Sequence, residues 1–369
     1  MWTILLHDEA IIKIDKLKAQ LPAYISEFIT VKTADEYSPA TLLEYLKNFH
    51  QFCQWLINQK KVSASITADI SVGELDKITL RDATEYKSYL LSRHKMNTKR
   101  VDQNGQALPS DELLAKPTIQ RHITALKVIF KYLAKSANNH QNKPFLSHNI
   151  MEDLSNVTQR QTLQARADAI EDKLFLGDES QAYLDFIENI YPQNLTPRAL
   201  LFHKRDFERN LALNALMLAS GLRLSEVVGI NLDDLDFENN RVSVLRKGSK
   251  KDSVRIAAFA MEYLDRYRQI RDSRYHPDKY EKAFFLTLTK GHSQRITGSA
   301  IEKMVAKYSK EFKVRVTPHK LRHTLATRLY QETNNLVLTA QQLGHSSTTT
   351  TTLYTHINND AASDALNRL

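Results

Sequence analysis

Cysteine is nearly absent: Cys53 is the only one in 369 residues. That excludes an intramolecular disulfide and any metal site built on cysteine thiolates. With Phe49, Phe52 and Leu56 close by in sequence, its thiol is expected to act as a small buried hydrophobe. Glycine and proline are scarce too, nine of each. Scarce breakers with abundant Leu, Ala, Lys and Glu favour a mainly helical chain. No uninterrupted apolar run approaches the ~18 residues of a membrane span. The opening MWTILLHDEAIIK lacks a basic leading region and reaches acidic residues early. It does not read as a signal peptide, and a reducing cytoplasm is the expectation.

Positive charge is in excess: 51 Lys and Arg against 42 Asp and Glu, a net +9. Basic proteins tend to meet polyanions, although charge alone fits a merely soluble basic enzyme equally well. The length accommodates two domains of ordinary size.

Apolar residues recur at helical spacing from Glu9 to about Phe28: Ile11, Ile14, Leu17, Leu21, Ile25 and Phe28. Ser38-Pro39 then opens a helix whose apolar face holds Leu42, Tyr45, Leu46, Phe49, Cys53 and Leu56. A third is expected from Thr79, with Leu80, Ala83, Tyr86, Tyr89 and Leu90, and a fourth from Thr118, with Ile119, Ile123, Leu126, Phe130 and Leu133. The basic residues Arg121, Lys127, Lys131 and Lys135 lie largely off that last stripe. They fit a solvated face or a DNA-facing surface. Between the third and fourth helices, SRHKMNTKRVDQNGQALPSDELLAKP holds an Asn-Gly and two prolines and reads as a loop. The stretch from about Ser136 to Arg166 is polar and reads as a linker, with Phe145, Ile150 and Leu154 able to pack.

The second half is mixed. Arg205 to Ser220 reads as a helix stopped by Gly221. RVSVLR (241–246) and SVRIA (253–257) alternate as strands around a KGSKKD turn, and AFFLTL (283–288) is a third strand candidate. Thr317-Pro318 starts a helix running to about Glu332, with Thr317 as N-cap.

Four basic elements stand out here: Arg223 after a helix stop, Lys247 at a hairpin tip, His319 and Arg322 on one helix face, and His345 after Gly344. Each has a plain structural reading as well; Arg223 could simply pair with Glu226. His319 and His323 also have the H-x-x-x-H spacing of zinc proteases. The general-base Glu is absent there, since Lys320 stands in its place, and Arg322 and Lys320 would repel a divalent cation. Converging cations suit a different task, stabilising a phosphodiester during substitution. Charge grows on its non-bridging oxygens, and each well-placed donor in a dry site is worth roughly 3 kcal/mol. Tyrosine could then be the nucleophile. With a free pKa of roughly 10 it needs nearby cations and a proton acceptor.

SGLRLSEVVGINLDDLDF, RKGSKKDSV, TPHKLRHTLAT and QQLGHSSTTTTTLYTHI resemble, in order, the segments of the tyrosine recombinases, the phage integrase family. SPATLLEYLKNFHQFCQWL to TIQRHITALKVIFKYL resembles their core-binding helical domain. Within the family the chain looks most like the Xer group of chromosome-dimer recombinases, in its single-recombinase form. The resemblance implies a mainly α fold with a small β-sheet. Residues 1–135 would form a helical, SAM-like core-binding domain, 136–168 a linker, and 169–369 an α+β catalytic domain with a C-terminal tail. The two domains would form a clamp on DNA.

The resemblance makes Tyr354 the nucleophile that joins a DNA 3′-phosphate, Arg223 and Arg322 the phosphate clamp, and Lys247 the acid for the leaving 5′-hydroxyl. It gives His319 acid/base assistance to the tyrosine and His345 a hydrogen bond to the phosphate. Neither metal nor ATP is required, and no cofactor is implied. Partners implied are double-stranded DNA with a dif-like site, a homotetramer on two sites, and the septal DNA translocase FtsK. Arg93, His94, Lys95, Lys99, Arg100, Arg121 and Lys127 are expected phosphate contacts from the first half, and Lys250, Lys251 and Arg255 from the second. The C-terminal AASDALNRL is expected to dock on a neighbouring protomer. Three alternatives stay open: an integrase of a phage or mobile element, a catalytically inert DNA-binding relative, and a metal-dependent nuclease.

Overall fold

In the computed structural model the protein is mostly helical, with three small antiparallel sheets among the described residues. The structure describes residues 2–102, 107–136, 143–157, 162–246, 250–345 and 347–357, without the side chains of 2–9, 97–101, 107 and 136. The chain divides into two compact units, Met1–Arg160 and Gln161–Leu369.

The first unit begins with α1 (Trp2–Lys18) and α2 (Ile25–Ala34). The single helix expected over Glu9 to Phe28 is therefore broken. Pro22 sits in the break, and a proline inside a helix removes one hydrogen bond and clashes with the preceding turn. In α3 (Pro39–Asn58) Ser38 Oγ accepts from the Thr41 backbone N–H at 3.3 Å, with Pro39 in the first turn. Such a cap is worth about 1 kcal/mol. The expected face of α3 is buried: Leu42, Leu46, Phe49, Cys53 and Leu56, with Phe52 beside them. The short α4 (Val72–Leu75) and α5 (Leu80–Ser92) each open on a capping box, Ser71 with Glu74 and Thr79 with Asp82. Ala83, Tyr86 and Leu90 of α5 are buried, whereas Leu80 and Tyr89 face solvent.

Helix α6 (Lys116–Lys131) carries Pro117 in its first turn and buries Ile119, Ile123, Leu126 and Phe130. Phe52 lies edge-on to Tyr86 at 4.9 Å and to Phe130 at 6.0 Å, tying α3, α5 and α6 together. Each buried phenylalanine contributes about 2–3 kcal/mol. Leu146, Ile150, Met151 and Leu154 pack into the same core, so the apolar part of the polar stretch after Ser136 belongs to this unit.

The segment expected to be a loop between α5 and α6 is instead a hairpin of β1 (His94–Val101) and β2 (Ala107–Leu113). The pairing is antiparallel and irregular, with His94 opposite Leu113 and Met96 opposite Pro109. Asn-Gly is a turn signal, and it belongs as readily to a hairpin as to a loop. Pro109 is compatible with a strand because a two-stranded ribbon consists only of edges.

The second unit holds α7 (Leu163–Glu171), α8 (Glu179–Asp185), α9 (Pro197–Ser220), α10 (Leu224–Gly229), α11 (Phe259–Tyr275), α12 (Gly298–Phe312), α13 (Pro318–Thr333) and α14 (Leu336–Leu343). Two short 3₁₀ turns, Thr348–Thr350 and Thr352–His356, follow. Helix α9 opens at Pro197 rather than Arg205 because Thr196 caps the Ala199 N–H at 3.4 Å. It stops at Gly221, whose φ of +66° suits glycine. Strands β3 (Leu235–Asp236), β4 (Arg241–Leu245) and β5 (Lys251–Arg255) form one sheet in that order. The valines Val242, Val244 and Val254 point into the core. Strands β6 (Leu286–Thr289) and β7 (His292–Arg295) form a separate hairpin, so only the end of AFFLTL is strand. Thr317 stands at the start of α13 as expected, but its hydroxyl caps nothing.

Candidate active site

The site is assembled around the C-terminal end of α14. The last carbonyls of a helix lack partners within it and carry the negative end of its dipole. Three guanidinium groups collect there. Arg246 donates to the carbonyls of Gln342 (3.2 Å) and Leu343 (2.9 Å). Arg322 donates to the Leu343 carbonyl at 2.7 Å, and Arg223 to that of Gly344 at 3.0 Å. Cations that would repel one another in isolation share one set of acceptors.

Each arginine is also held from its own side. Arg322 is buried in α13 and donates to the Gly221 carbonyl at 2.6 Å, so the αL turn that ends α9 supplies an acceptor. Arg223 stands at the N-cap of α10. Glu226 Oε2 accepts its backbone N–H and Oε1 its guanidinium, both at 2.8 Å. The plain pairing of Arg223 with Glu226 and its place in the site therefore coexist. Glu226 also accepts from Arg246 at 3.2 Å, and Arg246 reaches Asp252 on β5 at 3.0 Å. One buried carboxylate thus links α10 to the base of the β4–β5 hairpin.

His345 follows directly. Its Nε2 lies 3.0 Å from Arg322, and its Nδ1 lies 2.9 Å from the hydroxyl of buried Thr351. One residue of the threonine run thereby contacts the site, and the run itself forms 3₁₀ turns rather than α-helix. Partial burial, then the charges of Arg322, Arg223 and Arg246, hold the His345 imidazole down to about 4. It is neutral at ordinary pH, and with Nε2 beside a guanidinium it acts there as acceptor.

Tyr354 is buried, 2% exposed, among Ala167, Leu174, Ala326, Leu343, Leu353 and Ile357. Its hydroxyl meets His323 Nδ1 at 2.9 Å. Burial pushes the phenol up to about 12, with Arg322 pulling the other way. Burial, then neighbouring His319, Lys320, Arg322 and His345, holds His323 down to about 3. Both shifts keep the proton on the phenol. Tyr354 donates and neutral His323 accepts. The ring of His319 stands edge-on to His323 at 4.5 Å, and His319 itself is solvent-exposed. Partial burial and the charges of Arg322, Lys320 and Arg223 lower its pKa.

Arg223, His319, Arg322, His345 and Tyr354 thus come together. Lys247 lies outside the described residues. Sequence reasoning missed Arg246 as an anchor, Glu226 as a bridge and His323 as the partner of the tyrosine. His323 is conspicuous in H-x-x-x-H, a spacing that speaks to metal ligation and not to a hydroxyl partner 31 positions on.

Of the expected DNA contacts, Arg121 on α6 and Lys250, Lys251 and Arg255 around the β4–β5 hairpin are exposed, and Lys127 is half-buried. Arg93 ends α5, and Lys95 is ion-paired with Glu112 across the β1–β2 hairpin. The side chains of Lys99 and Arg100 lie outside the described residues, as does the C-terminal segment 358–369.

Gly344 sits where the arginines converge. Its φ is +63°, and a Cβ there would lie 2.6 Å from Arg246 Nε. Gly344→Ala is expected to cost about 2 kcal/mol from backbone strain and displacement of Arg246, lowering Tm by roughly 4–8 °C. A melting curve checks this; an unchanged Tm would show that Arg246 moves aside freely.

Residues 190–360 match the phage integrase family. The chain is 46% identical to a tyrosine recombinase XerS of Streptococcus gordonii over 97% of this chain and 98% of that one. It is 45% identical to one from Streptococcus pneumoniae with the same coverage. In fold it is similar to the XerH site-specific recombinase bound to difH DNA, with a TM-score of 0.59, 21% identity and coverage of 88% of this chain and 78% of that one. A lambda integrase dimer on a core site gives a TM-score of 0.54 at 12% identity, over 92% and 79% of the two chains. No helix among the described residues is long and apolar enough to cross a membrane.

Proposed function

This chain belongs to the phage integrase family of tyrosine recombinases and is a site-specific DNA recombinase, and we propose that it resolves chromosome dimers at a dif-like site in the cytoplasm. The hydrogen-bonded tyrosine beside the arginine cluster is the observation that carries the proposed chemistry. The Tyr354 oxygen attacks the scissile phosphorus while Arg223 and Arg322 hold the non-bridging oxygens, and His345, exchanging its Arg322 contact for the phosphate and carrying its proton on Nε2, donates to one of them. A P–Oη bond forms to the 3′-phosphate, and the 5′-oxygen leaves as a hydroxyl with a proton from Lys247. The phenolic proton passes to His319, which acts as the base in the same step. The linkage preserves the phosphodiester's energy, so the 5′-hydroxyl of another strand can reverse the attack without ATP.

Exchange between two duplexes requires four such sites, which a homotetramer on two DNA sites supplies. The helical first unit, Met1–Arg160, would close with the catalytic second unit, Gln161–Leu369, around the duplex. Arg93, Lys95, Lys99, Arg100, Arg121, Lys127, Lys250, Lys251 and Arg255 would meet its phosphates. The FtsK translocase is the proposed partner that couples the reaction to division.

The test is covalent adduct formation on a nicked suicide substrate carrying a dif-like site, against random DNA. Adducts on the dif-like site that persist in EDTA are expected. Their absence for the wild type would favour an inert binding protein, and loss in EDTA a metal-dependent nuclease. Binding by that many cations should weaken about 10³-fold or more between 50 and 200 mM salt, read by fluorescence anisotropy. A flat response would reject phosphate-led binding.

A further inference from the structure

We propose that His323 is a positioning residue for the strand-cleavage step, holding the Tyr354 hydroxyl through its Nδ1 so that the nucleophile stays oriented before DNA arrives. The proposal rests on the recombinase reading of Tyr354. The contact is 2.9 Å. It is the bond the buried hydroxyl makes; His345 and the threonine run are engaged with each other instead. A phenol has one torsion about its C–O bond, and a single strong acceptor fixes it. With the O–H spent on Nδ1, this histidine leaves the lone pairs of Oη without a donated hydrogen bond.

The surroundings keep His323 in the accepting form. His319, Lys320 and Arg322 on its own helix and His345 beyond α14 are all basic. A protonated His323 would instead donate to Oη and occupy a lone pair that the attack needs. Neutral Nδ1 as acceptor leaves the hydrogen on Nε2, the tautomer that this contact selects. The edge-on ring of His319 at 4.5 Å limits rotation of the His323 imidazole. His323 follows Arg322 directly in α13, so the same turn of helix that carries a clamp arginine also sets the tyrosine.

Three variants of the full chain test this. An asparagine places its carboxamide oxygen near where Nδ1 sits, and a glutamine places it near Nε2. His323→Asn is therefore expected to form adducts on the suicide substrate within about fivefold of wild type. His323→Gln and His323→Ala are expected to fall about 100-fold, the scale of a misplaced reacting group. A simple packing role predicts the opposite order, because glutamine fills the imidazole's volume better than asparagine. Glutamine equal to or faster than asparagine overturns the proposal, as does wild-type rate in the alanine variant. Should the alanine variant fail to fold, the asparagine–glutamine comparison decides alone. Wild-type adducts run in parallel separate a failure here from a failure of the recombinase reading.

Discussion

Tyr354→Phe is expected to abolish covalent protein–DNA adducts, a loss of at least about a thousandfold, while DNA affinity stays within about twofold of wild type. The substitution removes one oxygen and leaves the ring. That ring fills the space among Ala167, Leu174, Ala326, Leu343, Leu353 and Ile357, so the core that seats the segment persists. The loss on the protein side is one hydrogen bond, and His323 Nδ1 is left without its donor. That penalty is about 1–3 kcal/mol, small enough for the domain to remain folded. Adduct gels and anisotropy on the same DNA measure the two quantities separately. Residual adducts in the Phe variant would mean that another side chain attacks the phosphate, and His323 or His356 would then need testing.

Much of the architecture was legible because local chemistry announced it. Ser38-Pro39 and Thr79 cap helices as their residue types require, and the apolar stripes of α3 and α6 are the buried ones. Gly221 and Gly344 mark helix ends where a left-handed backbone is needed. The boundaries that differ lie where a short local signal competes with a longer apolar period. Pro22 interrupts a good apolar period, and Thr196-Pro197 is the same start signal as Thr317-Pro318 yet lay ahead of the obvious hydrophobic stretch. The β1–β2 hairpin escaped because its strands lack regular apolar alternation.

At the site the division is sharper. Family-spaced motifs pointed to Arg223, Arg322, His345 and Tyr354, and these do converge. What organises them did not show in the sequence, because the acceptors are main-chain carbonyls at 221 and 342–344, which every residue type possesses. Glu226 looked like a local partner for Arg223; only the fold brings Arg246 to its other side. His323 presents the same problem in reverse. Its residue type was conspicuous, but its partner lies 31 positions away.

Arg322→Lys tests whether charge alone suffices at the clamp. The guanidinium is 2% exposed and satisfies three acceptors at once: Gly221 carbonyl, Leu343 carbonyl and His345. One ammonium on a shorter reach cannot span all of them, and each buried carbonyl left unmet costs about 1–3 kcal/mol. Burial, then the charge of Arg223, brings Arg322 down to about 10, which still leaves it charged at neutral pH. The same burial and the same neighbouring charge would push a lysine down as well, from a lower starting value than arginine's. Adduct formation in the lysine variant should therefore be down about 10²–10³-fold at pH 7. Its remaining activity requires the protonated amine, so it should fall further as pH rises above neutral, relative to wild type over the same range. A pH series of single-turnover cleavage rates reads both effects. DNA affinity should change only a few-fold, since many other phosphate contacts carry it. Wild-type rates with a parallel pH profile would show that a point charge is enough and that the planar fork contributes little to holding the phosphate.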